Sequence, residues 1–310
     1  MVKRFHRSTV FHSGISLLIL LLIAGFRQQC LAQNDSKVDS LLNELQKTQH
    51  DTSKVNTLNA LSERLWRTAN YSDAQQYADN ALSLAEKIKC KNGEAKAYNN
   101  LGSIYFSKAN YPEALKNYKI ASDIREEIGD KQGMANSLNN IGNTYKTQGN
   151  YSEAIKSYFS SLKASEEIEY KTGIATSNYG LGTIYQEQDN HTEALKYSFA
   201  ALTLYEELGN KNRLAATYNI IGNSYREQGN YTEALKTFSA ALQISEEIGY
   251  KQGIAYANFN IGEVYRLKSD YPEALTNYLT SLKLFKEIGD KIGIARSHDN
   301  IGIIYANQFN

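Results

Sequence analysis

A segment of 40 residues, Lys91 to Asp130, recurs along most of the chain without a change of register. Its marker pair, Leu101-Gly102, occurs six times in all, always at this spacing. The later copies are Ile141-Gly142, Leu181-Gly182, Ile221-Gly222, Ile261-Gly262 and Ile301-Gly302. Because no insertion separates the copies, one structural unit is repeated in tandem, and a fold built around a single unrepeated core is excluded.

Apolar and small residues within one unit follow helical spacing rather than the alternation of a strand. The pattern predicts two helices, each with one packing face. The first face contains Ala97, Leu101, Ile104 and Tyr105, and the second contains Leu115, Tyr118, Ala121, Ile124 and Ile128. Each unit is therefore predicted to be a hairpin of two helices of roughly 16 to 18 residues, and neighbouring hairpins must stack to cover their apolar faces.

The turns of the unit carry signals of their own. Pro112 fits only the first turn of a helix, because its ring fixes φ and removes the backbone donor. Gly129, like Gly209, Gly249 and Gly289, follows the second helix, where a left-handed residue commonly ends a helix. Gly222, in the marker pair, is predicted to lie where the two helices of one hairpin touch.

The order Leu101-Gly102, Tyr105, Ala114, Tyr118 resembles the tetratricopeptide repeat, over roughly residues 51 to 310. Two features differ from the usual pattern: the period is 40 rather than 34, and Glu126 stands where a proline commonly ends the second helix. Both resemble the long-helix subclass found in kinesin light chains and bacterial sensor proteins. The resemblance implies an all-α, right-handed superhelical solenoid of antiparallel helical hairpins whose first helices line a concave, peptide-holding surface.

Residues 1–32 have the pattern of an export signal peptide. Lys3, Arg4 and Arg7 form a basic start, an apolar run follows over 17–26, and a small-x-small site precedes Gln33. The run is too short to cross a bilayer comfortably, which favours cleavage, with an uncleaved signal anchor as the alternative. We therefore expect a periplasmic or secreted protein, or a membrane-anchored one if the signal is retained or a membrane span follows residue 310.

The remaining chain is predicted to contain an N-terminal capping helix within 33–50 and a repeat array over 51–310, with about six hairpins and one unpaired C-terminal helix. That last helix, Lys291 to Ala306, carries Ile294, Ile301, Ile304 and Tyr305 on a face that we expect to be left wet. Self-association, a separate partner or a downstream domain of a longer protein would each cover it.

Charge and composition argue against several classes of function. The chain carries 34 basic and 33 acidic residues, and removal of four basic residues with the signal leaves 30 against 33, a net charge of −3. No basic patch then supports nucleic-acid binding. The histidines are not spaced as metal ligands. The recurring doublets such as Glu126-Glu127 are interpreted as a solvated, partly ion-paired edge near Lys131 and its equivalents rather than as catalytic carboxylates. We expect no catalytic residues, no metal and no small-molecule cofactor.

Asparagines recur on the first helix of each unit, away from the packing face. Asn is a poor interior helix former, and its amide offers a donor and an acceptor that suit an extended peptide backbone. A structural ladder of amides between repeats is the alternative. The residues predicted to form a peptide-binding groove are Asn99, Asn100, Asn139, Asn140, Asn143, Tyr179, Asn219, Asn223, Arg226, Phe259, Asn260, Arg266 and Asn300.

Together these features predict a non-catalytic scaffold that binds a protein or an extended peptide segment. The tyrosine, phenylalanine and arginines of the groove would supply specificity, with a preference for an acidic ligand segment. The alternative is the sensory, ligand-binding front part of a bacterial signal-transduction protein, with a histidine kinase, cyclase or transcriptional regulator as its output module.

Overall fold

The structure is a computed structural model that describes residues 36–47 and 51–308. The predicted signal peptide lies outside the described residues. Helix α1 covers 36–47, within the predicted capping region. The helices that follow are α2 (Thr52–Arg67), α3 (Tyr71–Lys87), α4 (Lys91–Ser107), α5 (Tyr111–Glu127), α6 (Lys131–Thr147), α7 (Tyr151–Glu166), α8 (Lys171–Glu187), α9 (His191–Glu207), α10 (Lys211–Glu227), α11 (Tyr231–Glu247), α12 (Lys251–Leu267), α13 (Tyr271–Ile288) and α14 (Lys291–Gln308).

The fold is all-helical over the described residues, as predicted, and consists of consecutive packed helical hairpins. The contacts divide the chain into two compact units, each larger than one repeat. The first unit ends at Asn117 and the second unit begins at Tyr118, within α5. In the second unit, α6 pairs with α7, α8 with α9, α10 with α11 and α12 with α13. No helix in 36–47 or 51–308 combines the length and the apolar character needed to cross a membrane.

The connections between α2 and α14 share one backbone feature, a residue in the left-handed region at every twentieth position. Glycine occupies six of these positions, including the predicted Gly129, Gly209, Gly249 and Gly289, which confirms the turn prediction. The other positions are Ala69, Lys89, Ala109, Glu169, Asp189 and Ser269, with φ between 53° and 62°. Turns inside a hairpin and turns between hairpins therefore follow the same 20-residue spacing.

Helix starts are fixed by the Asn that precedes Tyr or His in most repeats. The side chains of Asn150, Asn190 and Asn230 each accept a hydrogen bond from the backbone N–H of the Glu three residues later. Such a cap satisfies one of the backbone donors that a helix start leaves unpaired. The recurring Asn-aromatic-x-Glu sequence is thus a helix-start signal.

In the first unit, α1 packs on the hairpin that follows it. Leu45 contacts the core formed by Val55 and Leu58, and Val38 contacts a second cluster that includes Ala78. The hydroxyl of Thr57 donates to the Glu44 carboxylate at 3.2 Å. These contacts cover the outer side of the α2–α3 hairpin with a helix whose other side is polar and exposed.

In three hairpins of the second unit, the glycine of the marker pair lies against an aromatic ring of the partner helix, whereas Gly182 lies against Ser198. A Cβ added at Gly222 would come within 2.6 Å of the Phe238 ring, which confirms the predicted position of this glycine. Gly142 and Gly262 meet Tyr158 and Tyr278 in the same way. The three rings are 0% exposed, so each hairpin of this type closes around one buried aromatic residue.

The predicted packing face of α5 is wrong at one position. Ile128 is 39% exposed, whereas Arg125 is 7% exposed. The Arg125 guanidinium donates to the Gly133 carbonyl at 2.8 Å and to the Ser137 hydroxyl at 2.7 Å. These bonds compensate for burial of the charge, although burial still lowers the Arg125 pKa. Helical periodicity did not indicate a buried cation, because it counts only apolar residues.

The predicted ion-paired edge exists, but its partners are different. Lys131, which opens α6, pairs with Glu167 at 2.7 Å, and Lys171 pairs with Glu207 at 2.9 Å. Lys211–Glu247 and Lys251–Glu287 repeat the arrangement. Each lysine therefore binds the glutamate at the end of its own hairpin, because antiparallel helices bring those two ends together.

Helix α14 differs from the expectation for its packing face. Ile304 is 0% exposed and packs in the cluster that contains Phe285, so this residue is not left wet. Ile303 and Tyr305 are 45% and 47% exposed, and, apart from the adjacent helix backbone, no described residue lies within 4 Å of a Cβ added at Gly302. The exposed surface of α14 is therefore the side that other first helices turn toward their hairpin partner.

Candidate peptide-binding groove of the second unit

A groove of about 510 Å³ opens along the first helices of the second unit. Five predicted site residues line it: Tyr179 of α8, Asn219, Asn223 and Arg226 of α10, and Asn260 of α12. The remaining lining residues are Gln186, Ala215, Ala216, Ile220, Tyr250, Gln252, Gly253, Tyr256 and Arg296. The groove is thus a mixed surface of amides, tyrosines and two arginines.

The amides of Asn219 and Asn260 bond to one another across neighbouring repeats. Asn260 Nδ2 donates to Asn219 Oδ1 at 3.3 Å, and Asn219 Nδ2 donates to the Ala215 carbonyl of its own helix at 3.1 Å. The structure thus contains one rung of the ladder that was the alternative to peptide binding. Both side chains are half-buried and line the groove, so the ladder and a binding wall are compatible here.

An equivalent rung lies inside the first unit. Asn100 Nδ2 donates to the backbone carbonyl of Asn59 at 2.9 Å, and Asn59 Nδ2 donates to the Gly93 carbonyl at 3.1 Å. Asn100 is 7% exposed and Asn99 is half-buried. Asn59 was missed from the sequence, although it lies 40 residues before Asn99 in the same repeat position.

The asparagines of α6 make other contacts and do not line the groove. Asn139 is 4% exposed, and its Oδ1 accepts from the Ser177 hydroxyl at 3.1 Å. Asn143 Oδ1 accepts from the Tyr158 hydroxyl at 2.7 Å. Asn140 is half-buried. For Asn139 and Asn143 the amide is already used inside the fold.

Asn223 lacks the partner that Asn143 has. Its Oδ1 is buried and makes no hydrogen bond to any described residue, because the residue that faces it in the repeat pattern is Phe238 rather than a tyrosine. In the next repeat the same position is Glu263, whose carboxylate accepts from the Tyr278 hydroxyl. The Asn223 amide is consequently the least satisfied polar group of this series.

The two predicted arginines each pair with a nearby glutamate, and only Arg226 lines the groove. Arg266 donates to Glu263 at 3.1 Å. Burial alone would lower the pKa of Arg266. The hydrogen bond to Glu263 and the negative charge of that residue have the larger combined effect, so the pKa is raised. Arg226 lines the groove and pairs with the adjacent Glu227 at 2.7 Å. Local glutamates therefore offset both charges.

Phe259 and Asn300 do not present their side chains to the groove. Phe259 is 2% exposed and packs at 5.5 Å, between ring centres, from Tyr278. Its predicted role in specificity is wrong for this conformation, since a buried ring cannot contact a ligand. Asn300 Nδ2 donates to the Arg296 carbonyl of its own helix at 3.1 Å.

Two arginines that were not predicted stack on aromatic rings beside the groove. The guanidinium carbon of Arg213 lies 5.0 Å from the centre of the Tyr179 ring, and that of Arg296 lies 4.8 Å from Phe259. A sequence signal existed for Arg213, because it replaces the glycine found at Gly133, Gly173 and Gly253 of other repeats. Arg296 has no such signal, since its repeat position is variable.

Amides, phenol groups and guanidiniums make up most of the polar lining of the groove. Within 36–47 and 51–308, no group of three or more His, Cys, Asp or Glu side chains could hold a metal ion. Amides, phenol groups and guanidiniums offer hydrogen bonds and charge to a ligand.

This arrangement of helical hairpins, with a polar groove along their first helices, defines a class of helical-repeat scaffold. The chain belongs to the tetratricopeptide-repeat family: one family model of the repeat matches residues 93–167, 173–250 and 253–310, and a second matches 59–124. Such a scaffold is consistent with protein binding. A search of curated protein sequences found no match.

Solved structures of other repeat proteins are similar in fold. The Signal Transduction ATPase with Numerous Domains protein from Pyrococcus horikoshii, which has a tetratricopeptide repeat sensor, matches with a TM-score of 0.67 and 20% identity over 84% of this chain and 44% of its own. The APC/C hetero-tetramer Cut9-Hcn1 matches at 0.66, with 18% identity over 86% of this chain and 45% of its own. A Rap protein complexed with Competence and Sporulation Factor matches with a TM-score of 0.60 and 13% identity, over 86% of this chain and 79% of its own.

Proposed function

We propose that the protein is a non-catalytic scaffold that binds an extended segment of a partner protein in the groove of its second unit. The observation that carries this proposal is the convergence of Tyr179, Asn219, Asn223 and Asn260, from three successive first helices, on one groove. Amides at regular intervals suit a peptide backbone irrespective of its side chains, and the tyrosines supply flat apolar surface. The similar Rap protein was solved with a bound factor, which agrees with such a role.

The test separates a binding wall from a purely structural ladder. The double variant Asn219→Ala with Asn260→Ala removes both partners of one hydrogen bond, so it leaves neither amide unpaired and should alter the melting temperature little. Peptides selected from a random library on residues 33–310 should bind this variant about tenfold more weakly. The control is Asn59→Ala with Asn100→Ala, which breaks the equivalent rung of the first unit.

Selected peptides that bind the groove variant as tightly as the unaltered protein would contradict the proposal. A large fall in melting temperature with unchanged binding would assign the Asn219–Asn260 pair to structure alone.

Export is part of the proposal and rests on the N-terminal sequence pattern alone. Cleavage before Gln33 would release a periplasmic or secreted scaffold, and retention of the segment would anchor it to a membrane. The mass of the protein recovered from the envelope and from the medium of expressing cells distinguishes these cases. Full-length protein found only in the cytoplasm would contradict export.

A sensory role is a second proposal, favoured by the likeness to the protein from Pyrococcus horikoshii whose repeats are described as a sensor. The groove would then bind a signal segment, and an output module would follow in the same polypeptide. The reading frame after the codon for Asn310 tests this, because a membrane span or an output domain there would support it and an immediate stop codon would contradict it.

A further inference from the structure

The charged residues that line the groove are both positive, and only one of them is paired with a carboxylate of a described residue. Of its lining residues only Arg226 and Arg296 are charged, and no carboxylate is among them. Arg226 is offset by Glu227, whereas Arg296 forms no ion pair with any described residue. The nearby Asp290 accepts from the Gly293 backbone N–H and the Tyr256 hydroxyl, which, together with the Arg296 charge, lower its pKa.

Arg213, at the α8–α10 end of the groove, resembles Arg296 because its guanidinium also lies over an aromatic ring. It is exposed, stacks on the lining residue Tyr179, and forms no ion pair within the part of the chain that the structure describes. A guanidinium on an aromatic face keeps its edge free for two parallel N–H donors, and stacking restricts its motion before a ligand arrives. Such edges match the geometry of a carboxylate.

We propose that Arg213 and Arg296 recognise acidic side chains of a peptide lying along the groove, so that the ligand of the second unit is an acidic segment. This rests on the proposed scaffold function and names the chemistry of its ligand. The two arginines come from α10 and α14, so a bound segment would cross α12 between them. Arg226 and Arg266 are already paired with glutamates, so they contribute less to binding of the acidic segment.

The experiment uses residues 33–310 and two fluorescent probes: a short acetylated and amidated peptide rich in Glu with a central Tyr, and the same peptide with each Glu replaced by Gln. Fluorescence anisotropy should show binding of the Glu peptide that weakens as salt is raised, and at least about tenfold weaker binding of the Gln peptide. The variant Arg213→Gln with Arg296→Gln should lose the same factor.

The matched control is Lys156→Gln with Lys236→Gln, which removes two positive charges from exposed positions on α7 and α11 of the same unit. It should leave affinity for the Glu peptide within about twofold, because screened distant charges contribute little. The variant Arg296→Lys keeps the charge without the planar edge, and an intermediate affinity would support bidentate recognition.

Equal binding of the two probes, an equal loss in the lysine control, or no binding of the Glu peptide would each overturn the acidic-segment proposal. The scaffold function has its own readout, because peptides selected from a random library would still depend on Asn219 and Asn260 if only the acidic preference were wrong.

Discussion

Individual hydrogen-bond partners explain why one repeat position has different surroundings in different hairpins. Asn143 Oδ1 accepts a hydrogen bond from Tyr158, whereas Asn223 Oδ1 is buried opposite Phe238 and has no donor among the residues that the structure describes. A buried acceptor without a partner carries the cost of its lost hydration. A single hydroxyl group therefore distinguishes the two hairpins.

Phe238→Tyr is expected to stabilise the protein by about 0.5–1.5 kcal/mol, because the new hydroxyl would supply Asn223 with a donor. The melting temperature should rise by about 2 °C, measured by circular dichroism. Tyr158→Phe is the matched converse, which removes the donor from Asn143 and should lower it by a similar amount. A Phe238→Tyr variant less stable than the unaltered chain would show that the amide does not face the ring as described.

Left-handed residues other than glycine provide a second prediction at this scale. Glu169 has φ of 53°, a conformation that costs a residue with Cβ about 1–2 kcal/mol. Glu169→Gly should therefore raise stability by about 1 kcal/mol, even after the greater flexibility of glycine in the unfolded chain is counted. Gly209→Ala, at the equivalent turn, should lower it, and urea denaturation of both variants would reveal an opposite result.

The contact between the two helices of a hairpin determines which substitutions are tolerated at the glycine of the marker pair. A Cβ at Gly222 would meet the Phe238 ring at 2.6 Å, whereas a Cβ at Gly302 in α14 would meet no described residue within 4 Å apart from the adjacent helix backbone. Gly222→Ala should destabilise by about 1–3 kcal/mol through overpacking. Gly302→Ala should instead stabilise by about 0.5–1 kcal/mol, because alanine is the better helix former. Equal effects of the two substitutions on the melting temperature would contradict the assigned interface.

Helices and turns could be predicted from the sequence because the 40-residue register repeats their signals several times. Gly129 and Gly209 marked left-handed turns, and the Leu101-Gly102 pair marked the hairpin contact. Burial of Arg125 could not be predicted, since its stability depends on the Gly133 carbonyl and the Ser137 hydroxyl of the next helix. The repeated pattern therefore predicts the features that all repeats share, but it does not predict a contact that occurs in one repeat only.

The same limit applies to the groove. Repeat positions identified Asn219, Asn223 and Asn260 because they recur, and these residues do meet in space. Phe259 was assigned to the same surface by its position, but its size carries it into the core against Tyr278. Arg296 could not be found, because its environment depends on a ring from the preceding repeat.

Across the molecule, titration of exposed and buried groups predicts a plateau of stability from about pH 5 to 9. The hydrogen bond from Lys131 lowers the pKa of Glu167, so its contribution is present above the unfolded value of about 4.3 and is lost as the pH falls through the lowered value. The hydrogen bond to Glu207 raises the pKa of Lys171, whose contribution is lost only as the pH rises above about 10.

Buried tyrosines should steepen the alkaline side of this profile. Burial raises the pKa of Tyr158, so the folded state resists an ionisation that the unfolded chain undergoes above about pH 10. Melting temperatures measured from pH 3 to 11 should show the plateau, and Tyr158→Phe should lessen the alkaline decline. A maximum confined to acidic pH would contradict these assignments.

The proposed binding mode places a partner segment along the first helices of the second unit. Photo-crosslinking from benzoylphenylalanine at Ala216, which lines the groove, tests it directly, with the same probe at the exposed Phe199 of α9 as the control. With a library-selected peptide bound, we predict a crosslink from position 216 and none from position 199. A crosslink from position 199 alone would place the partner on the second helices and contradict this binding mode.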